Sequence, residues 1–245
     1  MDQGVYTAAS GAMAMELKLA VIANNLANVD TVGFKKDHVN FEKYVKQLET
    51  LPLAEGEYRR RAEDVITKEY YIDTAQGSSR LTGNPLDVAL IGDGYFAVSS
   101  ENGMRYTRAG SFQRSADGLL TDQQGNAIQG DGGDIQLGKG EVIIGADGTV
   151  TVSGQVVDKL KVVDIPDDKL VKIGRNLFEV PEGYEPQALE SPQIQQGSLE
   201  MSNVNAIQEM LGLVETQRAY EMFQKMMRTL NDAYGQSIRN VGTVS

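Results

Sequence analysis

The amino-acid sequence predicts an α+β protein in which a discontinuous helical domain, built as a coiled coil from both ends of the chain, flanks an antiparallel β-rich domain. Three observations carry this reading. Apolar residues recur at alternating intervals of three and four near both termini, the spacing of a helical seam. Short β-type runs separated by glycine-containing turns fill the centre. The net charge of −11 is divided the same way: residues 1–35 hold three acids and two bases, residues 200–245 five acids and four bases, so each end is −1 and the middle carries −9. Near-neutral ends suit packing against copies of themselves, and an acidic middle suits a soluble exterior.

The first seam runs Val5, Ala8, Ala12, Met15, Leu19, Ile22 and Leu26, three unbroken heptads. Ser10 and Gly11 lower helix propensity without breaking it. The helix is expected to fail between Asn28 and Gly33, where Asn, Asp, Thr and Gly favour turns and Gly33 suits a positive φ. Residues 36–75 are polar and mixed and read as an extended connector. They hold the single histidine, His38, expected to be exposed and inert. They also hold the basic triplet Arg59-Arg60-Arg61, which Glu55, Glu57, Glu63 and Asp64 flank as on a solvated surface.

The β-rich domain is expected over 76–196. Its runs are Leu86–Ile91, Tyr95–Ser99, Glu141–Ile144, Thr149–Val152 and Lys159–Ile165. Turn signals separate them at Asn84-Pro85, Asn102-Gly103, Asp117-Gly118, Gly125-Asn126 and Asp147-Gly148. At the C-terminal end Val204, Ile207, Leu211 and Val214 form one seam. After a phase slip near Thr216, Ala219, Phe223, Met226, Leu230 and Ala233 continue it. Met210, Leu213, Tyr220 and Met227 widen the stripe beyond what one partner helix covers. Residues 1–35 with 200–245 therefore form the helical unit. Periodicity alone leaves open that both helices pack on the core of their own chain.

Chemistry is sparsely represented. Cysteine is absent, which excludes disulfides and thiolate catalysis, and one histidine is too few for a His-based metal site or a Ser-His-Asp arrangement. Gly92-Asp93-Gly94-Tyr95-Phe96-Ala97 lacks the third glycine of a dinucleotide fingerprint and continues as strand. Gly130-Asp131-Gly132-Gly133-Asp134 lacks the spaced ligands of a calcium loop, and the twelfth position from Asp131 is Val142 rather than Glu. No catalytic, cofactor or metal residue is assigned. The acidic balance argues against a nucleic-acid partner. No run of some eighteen apolar residues occurs, so no membrane span is expected. The start, MDQGVYTAASG, lacks a basic and apolar secretory signal, so export is expected to need no cleaved leader.

Three ordered blocks resemble the flagellar rod and hook family of axial proteins. The first is Ile22-Ala23-Asn24-Asn25-Leu26-Ala27-Asn28 followed by Thr31-Val32-Gly33-Phe34-Lys35. The second joins Gly83-Asn84-Pro85-Leu86-Asp87-Val88-Ala89-Leu90 and Gly92-Asp93-Gly94-Tyr95-Phe96 to Tyr106-Thr107-Arg108-Ala109-Gly110-Ser111-Phe112. The third is Gly197-Ser198-Leu199-Glu200-Met201-Ser202-Asn203-Val204-Asn205 with Glu215-Thr216-Gln217-Arg218-Ala219-Tyr220-Glu221. Residues 125–195 hold no diagnostic block. Within the family the proximal-rod branch is the better match, with the distal-rod branch next.

The resemblance implies a structural subunit of the basal-body rod that transmits torque and has no enzymatic activity. Its terminal helices would line an inner layer around the export channel, with the β-rich domain outside. Its partners would be copies of itself, other axial proteins and the flagellar type III export apparatus, and its place the periplasmic rod. Assembly contacts are expected from Val5, Met15, Leu19, Ile22 and Leu26 and from Leu211, Val214, Ala219, Tyr220, Phe223, Met226 and Leu230. Asn25, Asn28, Gly33, Phe34, Asn203 and Val204 are expected to contribute from the block residues beside the helices. A lone helix with half its seam in water is marginal, so both arms are expected to order only on assembly. A different class, a β-rich carbohydrate- or partner-binding module, would need exposed aromatics on one face. Tyr95, Phe96, Tyr106 and Phe112 are the candidates, and their alternation points them into the core.

Overall fold

The structure, a computed structural model, describes residues 3–45 and 63–242. Helix α1 spans Gln3–Ala27 and helix α2 Ala206–Gly242. Between them every paired strand is antiparallel wherever a register is defined. Helix α1 ends where the sequence predicts: the Thr31 amide donates to the Asn28 carbonyl at 3.1 Å and the Thr31 hydroxyl to Asn28 Oδ1 at 3.1 Å. Asn and Thr side chains offer the backbone these local bonds and so compete with helix.

Two compact units result. One comprises Met1–Leu26, Asp37–Tyr71 and Ala206–Ser245; the other comprises Ala27–Lys36 and Ile72–Asn205. The stretch read as a connector contains strands Lys36–Val45 and Glu63–Asp73, which pair as a two-stranded sheet. Val39 and Phe41 alternate with polar neighbours there, a period-two signal diluted by charge. The triplet Arg59-Arg60-Arg61 lies outside the described residues. His38, expected to be exposed, is half-buried and stacks on Tyr71 with ring centroids 5.0 Å apart.

The β-rich unit is organised around strand Tyr95–Ser100, whose neighbours in a ten-stranded sheet are Gly103–Thr107 on one side and Ala127–Gly130 and Val162–Asp164 on the other. Alternation sends its side chains into two cores. Phe96 and Val98 join Val88, Leu90, Phe112, Leu120 and Ile128. Tyr95 and Ala97 join Tyr106, Val163, Ile165 and Phe178 on the other face. The four candidate aromatics are thus all core residues, and none of them offers the exposed face a glycan-binding module would need. The link between Thr149–Val152 and Gln155–Lys159 is the two-residue turn Ser153-Gly154, with φ of 50° and 83° as a type I′ hairpin requires.

Helix α1 qualifies the membrane expectation. Its segment Gly4–Ala27 is long and apolar enough to cross a bilayer by length and composition. Interruptions by Ser10, Gly11, Glu16 and Lys18 conceal this from a search for an unbroken apolar run. Both charged residues are exposed.

Candidate assembly site

The helical unit is an antiparallel pair in which glycines on one helix receive large side chains from the other. A Cβ built on Gly4 would lie 3.5 Å from Leu230 Cδ1, one on Gly11 would lie 2.5 Å from Phe223 Cε1, and one on Gly212 would lie 3.6 Å from Ile22 Cδ1. The Asn25 amide meets Glu209 Oε2 at 3.3 Å. Gly4, Gly11, Ile22 and Asn25 climb α1 at the same intervals by which Leu230, Phe223, Gly212 and Glu209 descend α2, so one register holds throughout.

The seam anticipated on α1 faces inward. Ala8, Ala12 and Ile22 are buried, and Val5, Met15, Leu19 and Leu26 half-buried. On α2 the inward face is Glu209, Leu213, Thr216, Tyr220, Phe223, Met227, Leu230 and Tyr234, evenly spaced by three and four with no phase slip. The sequence reading split this face because Glu209 and Thr216 are polar. Thr216 meets its own need by donating to the Gly212 carbonyl at 2.7 Å. Ala219, Tyr220, Phe223 and Leu230 lie on or beside this face. Ile207, Leu211 and Val214 stand off it, 72%, 62% and 47% exposed, and Met210, Met222 and Met226 are exposed with them.

Asn25 is a buried polar link within this unit. Its amide nitrogen donates to the Asp37 carbonyl at 2.9 Å as well as toward Glu209, and its Oδ1 accepts the Asp37 amide at 2.9 Å. Asn24 adds a bond to Asp37 Oδ2 at 2.9 Å. An amide side chain supplies both the donor and the acceptor here, which an ionised carboxylate at this position would not.

In the β-rich unit the three sequence blocks converge on a buried ion cluster. Lys35, Arg108 and Glu200 are 2%, 3% and 2% exposed. Lys35 Nζ lies 2.8 Å from Glu200 Oε1 and donates to the carbonyls of Thr74 and Ala75 at 3.0 and 2.8 Å. Arg108 Nε meets Glu200 Oε2 at 2.5 Å, and its terminal nitrogens donate to the carbonyls of Leu90, Gly92 and Gly94. The Gly77 amide completes Glu200 Oε1 at 3.0 Å. Burial pushes the Lys35 ammonium below the ordinary lysine range, with Glu200 opposing that shift. Every charge here is spent on internal bonds, so the cluster fastens chain segments and leaves no free base or nucleophile.

The flanking block residues serve the same junction. Gly33 has φ +66°, and a Cβ on it would lie 2.4 Å from the Ala109 amide nitrogen. Its own N–H donates to the Glu200 carbonyl at 2.8 Å. Phe34 is buried beneath Lys172 Nζ, 3.8 Å from the ring centroid. Asn203 Oδ1 accepts the Lys36 amide at 2.8 Å, and its nitrogen donates to the Asp73 and Ala75 carbonyls at 2.8 and 3.1 Å. Val204 is buried immediately before α2. The segments leading to the two helices are therefore tied together on the β-rich unit. Lys35, Arg108 and Glu200 were present in the quoted blocks but not singled out, because the blocks hold other charged residues such as Asp87 and Asp93 and nothing local marks which ones are buried.

The comparisons with known proteins cover the same segments. Residues 5–35 match the family described as "Flagella basal body rod protein", residues 89–152 the "Flagellar hook protein FlgE/F/G D1 domain", and residues 195–240 the "Flagellar basal body rod FlgEFG protein C-terminal". The chain is 32% identical over 250 residues to the flagellar basal-body rod protein FlgF of Caulobacter vibrioides, covering all of both chains. It is 33% identical to FlgF of Mesorhizobium japonicum, again over the full length of both. It is 32% identical to the rod protein FlgG of Bacillus subtilis, over 95% of this chain and 96% of that one. The chain belongs to the flagellar basal-body rod FlgE/F/G family.

Proposed function

We propose that the chain is a structural, non-enzymatic subunit of the proximal rod, polymerising helically through its terminal helices to carry torque. The observation that carries this reading is the exposed stripe Ile207, Met210, Leu211 and Val214 on α2, an apolar face that α1 does not cover. Each such side chain contributes roughly 1.5–3 kcal/mol when fully buried. Helices of neighbouring copies would cover it in a coiled-coil layer, and a head-to-tail contact that does not close generates a filament. Other rod proteins are the further partners. Full-length similarity to proteins named FlgF favours the proximal over the distal position.

In this reading the chain leaves the cytoplasm through the flagellar type III apparatus and ends in the periplasmic rod. Helix α1 is then an axial helix rather than a membrane span. Glu16 and Lys18 near its midpoint favour that role, since each is costly at the centre of a bilayer.

The discriminating experiment is Leu211→Asp. Leu211 is exposed in the single chain, so the substitution is expected to leave the melting curve of the purified subunit unchanged while abolishing rod assembly and swimming. Normal motility in that strain would contradict assembly through this face.

A further inference from the structure

We propose that the groove around Arg175 is a contact surface for a second copy of this chain, with the Arg175 guanidinium receiving a carboxylate from that copy's acidic β-rich domain. The inference rests on the rod reading above, because it requires the chain to pack against itself.

Arg175 and Asn176 link strands Val171–Gly174 and Leu177–Glu179, with φ of 52° and 57°. Positive φ at both central residues defines a type I′ hairpin, a turn that favours Gly, Asn and Asp. Asn176 fits the turn and is used within the chain: its side chain donates to the Val32 carbonyl at 2.8 Å and its carbonyl accepts the Thr107 hydroxyl at 2.8 Å. Arg175 fits poorly, because a long side chain in the left-handed region is disfavoured by its Cβ. Nothing among the described residues compensates. Among the described residues its exposed guanidinium has no hydrogen-bond or salt-bridge partner. The neighbouring cation, Arg105, is by contrast held by Glu179 at 3.3 Å.

The surroundings suit a polar guest. Arg175 lies on the wall of a cavity of about 630 Å³ where three hairpins end, lined by hydroxyl and amide groups such as Ser99, Gln124 and Asn126. Arg105 and Glu179 neutralise each other there. Of the remaining charges, Glu101 is at the exposed tip of one hairpin and Arg175 is in the wall. The guest follows from charge. The middle of the chain carries −9, and exposed acids such as Asp117, Asp131, Glu182 and Glu185 stand on its turns. A guanidinium is the side chain best shaped to grip a carboxylate through two parallel bonds. A groove on one copy and an acidic turn on the next make a heterologous contact, the kind that propagates a helix.

The test uses the absence of native cysteine. Gln124→Cys, carrying a benzophenone photo-crosslinker, places a probe in the groove of the full chain in basal bodies. The expected product is an adduct to an acidic β-domain segment of a second copy, lost when Arg175→Gly is added. Glycine is suited to φ 52°, so Arg175→Gly should keep or raise the melting temperature of the subunit while the adduct disappears. An undiminished adduct in the Arg175→Gly chain, or adducts only to other proteins or within one chain, would overturn the groove contact and leave the rod reading standing. Absence of the wild-type chain from isolated basal bodies would overturn the rod reading itself.

Discussion

The ring of Phe223 on α2 occupies the space that a side chain at Gly11 of α1 would need, 2.5 Å from where its Cβ would stand. The only freedom left is to move the ring, because the opposing atoms belong to a side chain rather than backbone. Gly11→Val is therefore expected to destabilise the helix pair by about 1–3 kcal/mol, the usual range for overpacking. Phe223→Ala in the same chain should relieve the clash, so the double variant should be more stable than the two separate losses predict. A double-mutant cycle on thermal unfolding reads this coupling; strict additivity would show that the two residues do not meet.

Glu200 is the carboxylate that meets both buried cations, Lys35 through Oε1 and Arg108 through Oε2. Glu200→Gln would turn an amide N–H toward at least one of them and remove the carboxylate that both contact. Breaking a buried ion pair by removing one partner costs about 3–5 kcal/mol. Denaturant unfolding of the purified chain should show a loss of that size. A loss below about 1 kcal/mol, the worth of an exposed pair, would mean that water reaches the cluster.

Gly33 combines a positive φ with a backbone neighbour that has no room to yield. Gly33→Val is expected to cost more than about 3 kcal/mol, at the severe end for single substitutions. Lys18→Val, at an exposed site in α1, should cost less than about 1 kcal/mol through propensity alone. Equal effects on unfolding at the two sites would remove the special role of the turn.

Lys35 also makes stability depend on alkaline pH. Its folded pKa lies below the ordinary lysine value of 10.5, so in the window between the two the unfolded chain binds the proton and the folded chain does not. Its contribution is therefore fully present above 10.5 and is lost as pH falls through the folded pKa. Wild type should gain stability relative to Lys35→Met as pH rises toward 10.5. Parallel pH profiles for the two proteins would contradict the burial of an ammonium at this site.

Helix periodicity and turn chemistry made the architecture legible. Val5 to Leu26 marks the inner face of α1, Asn28 to Gly33 its end, and Asp147-Gly148 and Asn102-Gly103 two of the hairpins. The inner face of α2 was obscured because Glu209 and Thr216 belong to it, and a polar residue satisfied inside a helix interface looks like solvent surface in a hydropathy pattern. The ion cluster was obscured for another reason. Lys35 and Glu200 are 165 residues apart, and pairing at that separation leaves no local periodicity. The strands Lys36–Val45 and Glu63–Asp73 were read as connector because their charges mask the alternation.

A reconstruction of the rod from isolated basal bodies, at a resolution that shows side chains, tests the central claim most directly. The account predicts that Ile207, Met210, Leu211 and Val214 pack against helices of neighbouring axial subunits, with the β-rich unit outside them. A rod in which that stripe of α2 faces solvent or the channel, with subunits joined solely through β-rich units, would contradict assembly through the terminal helices.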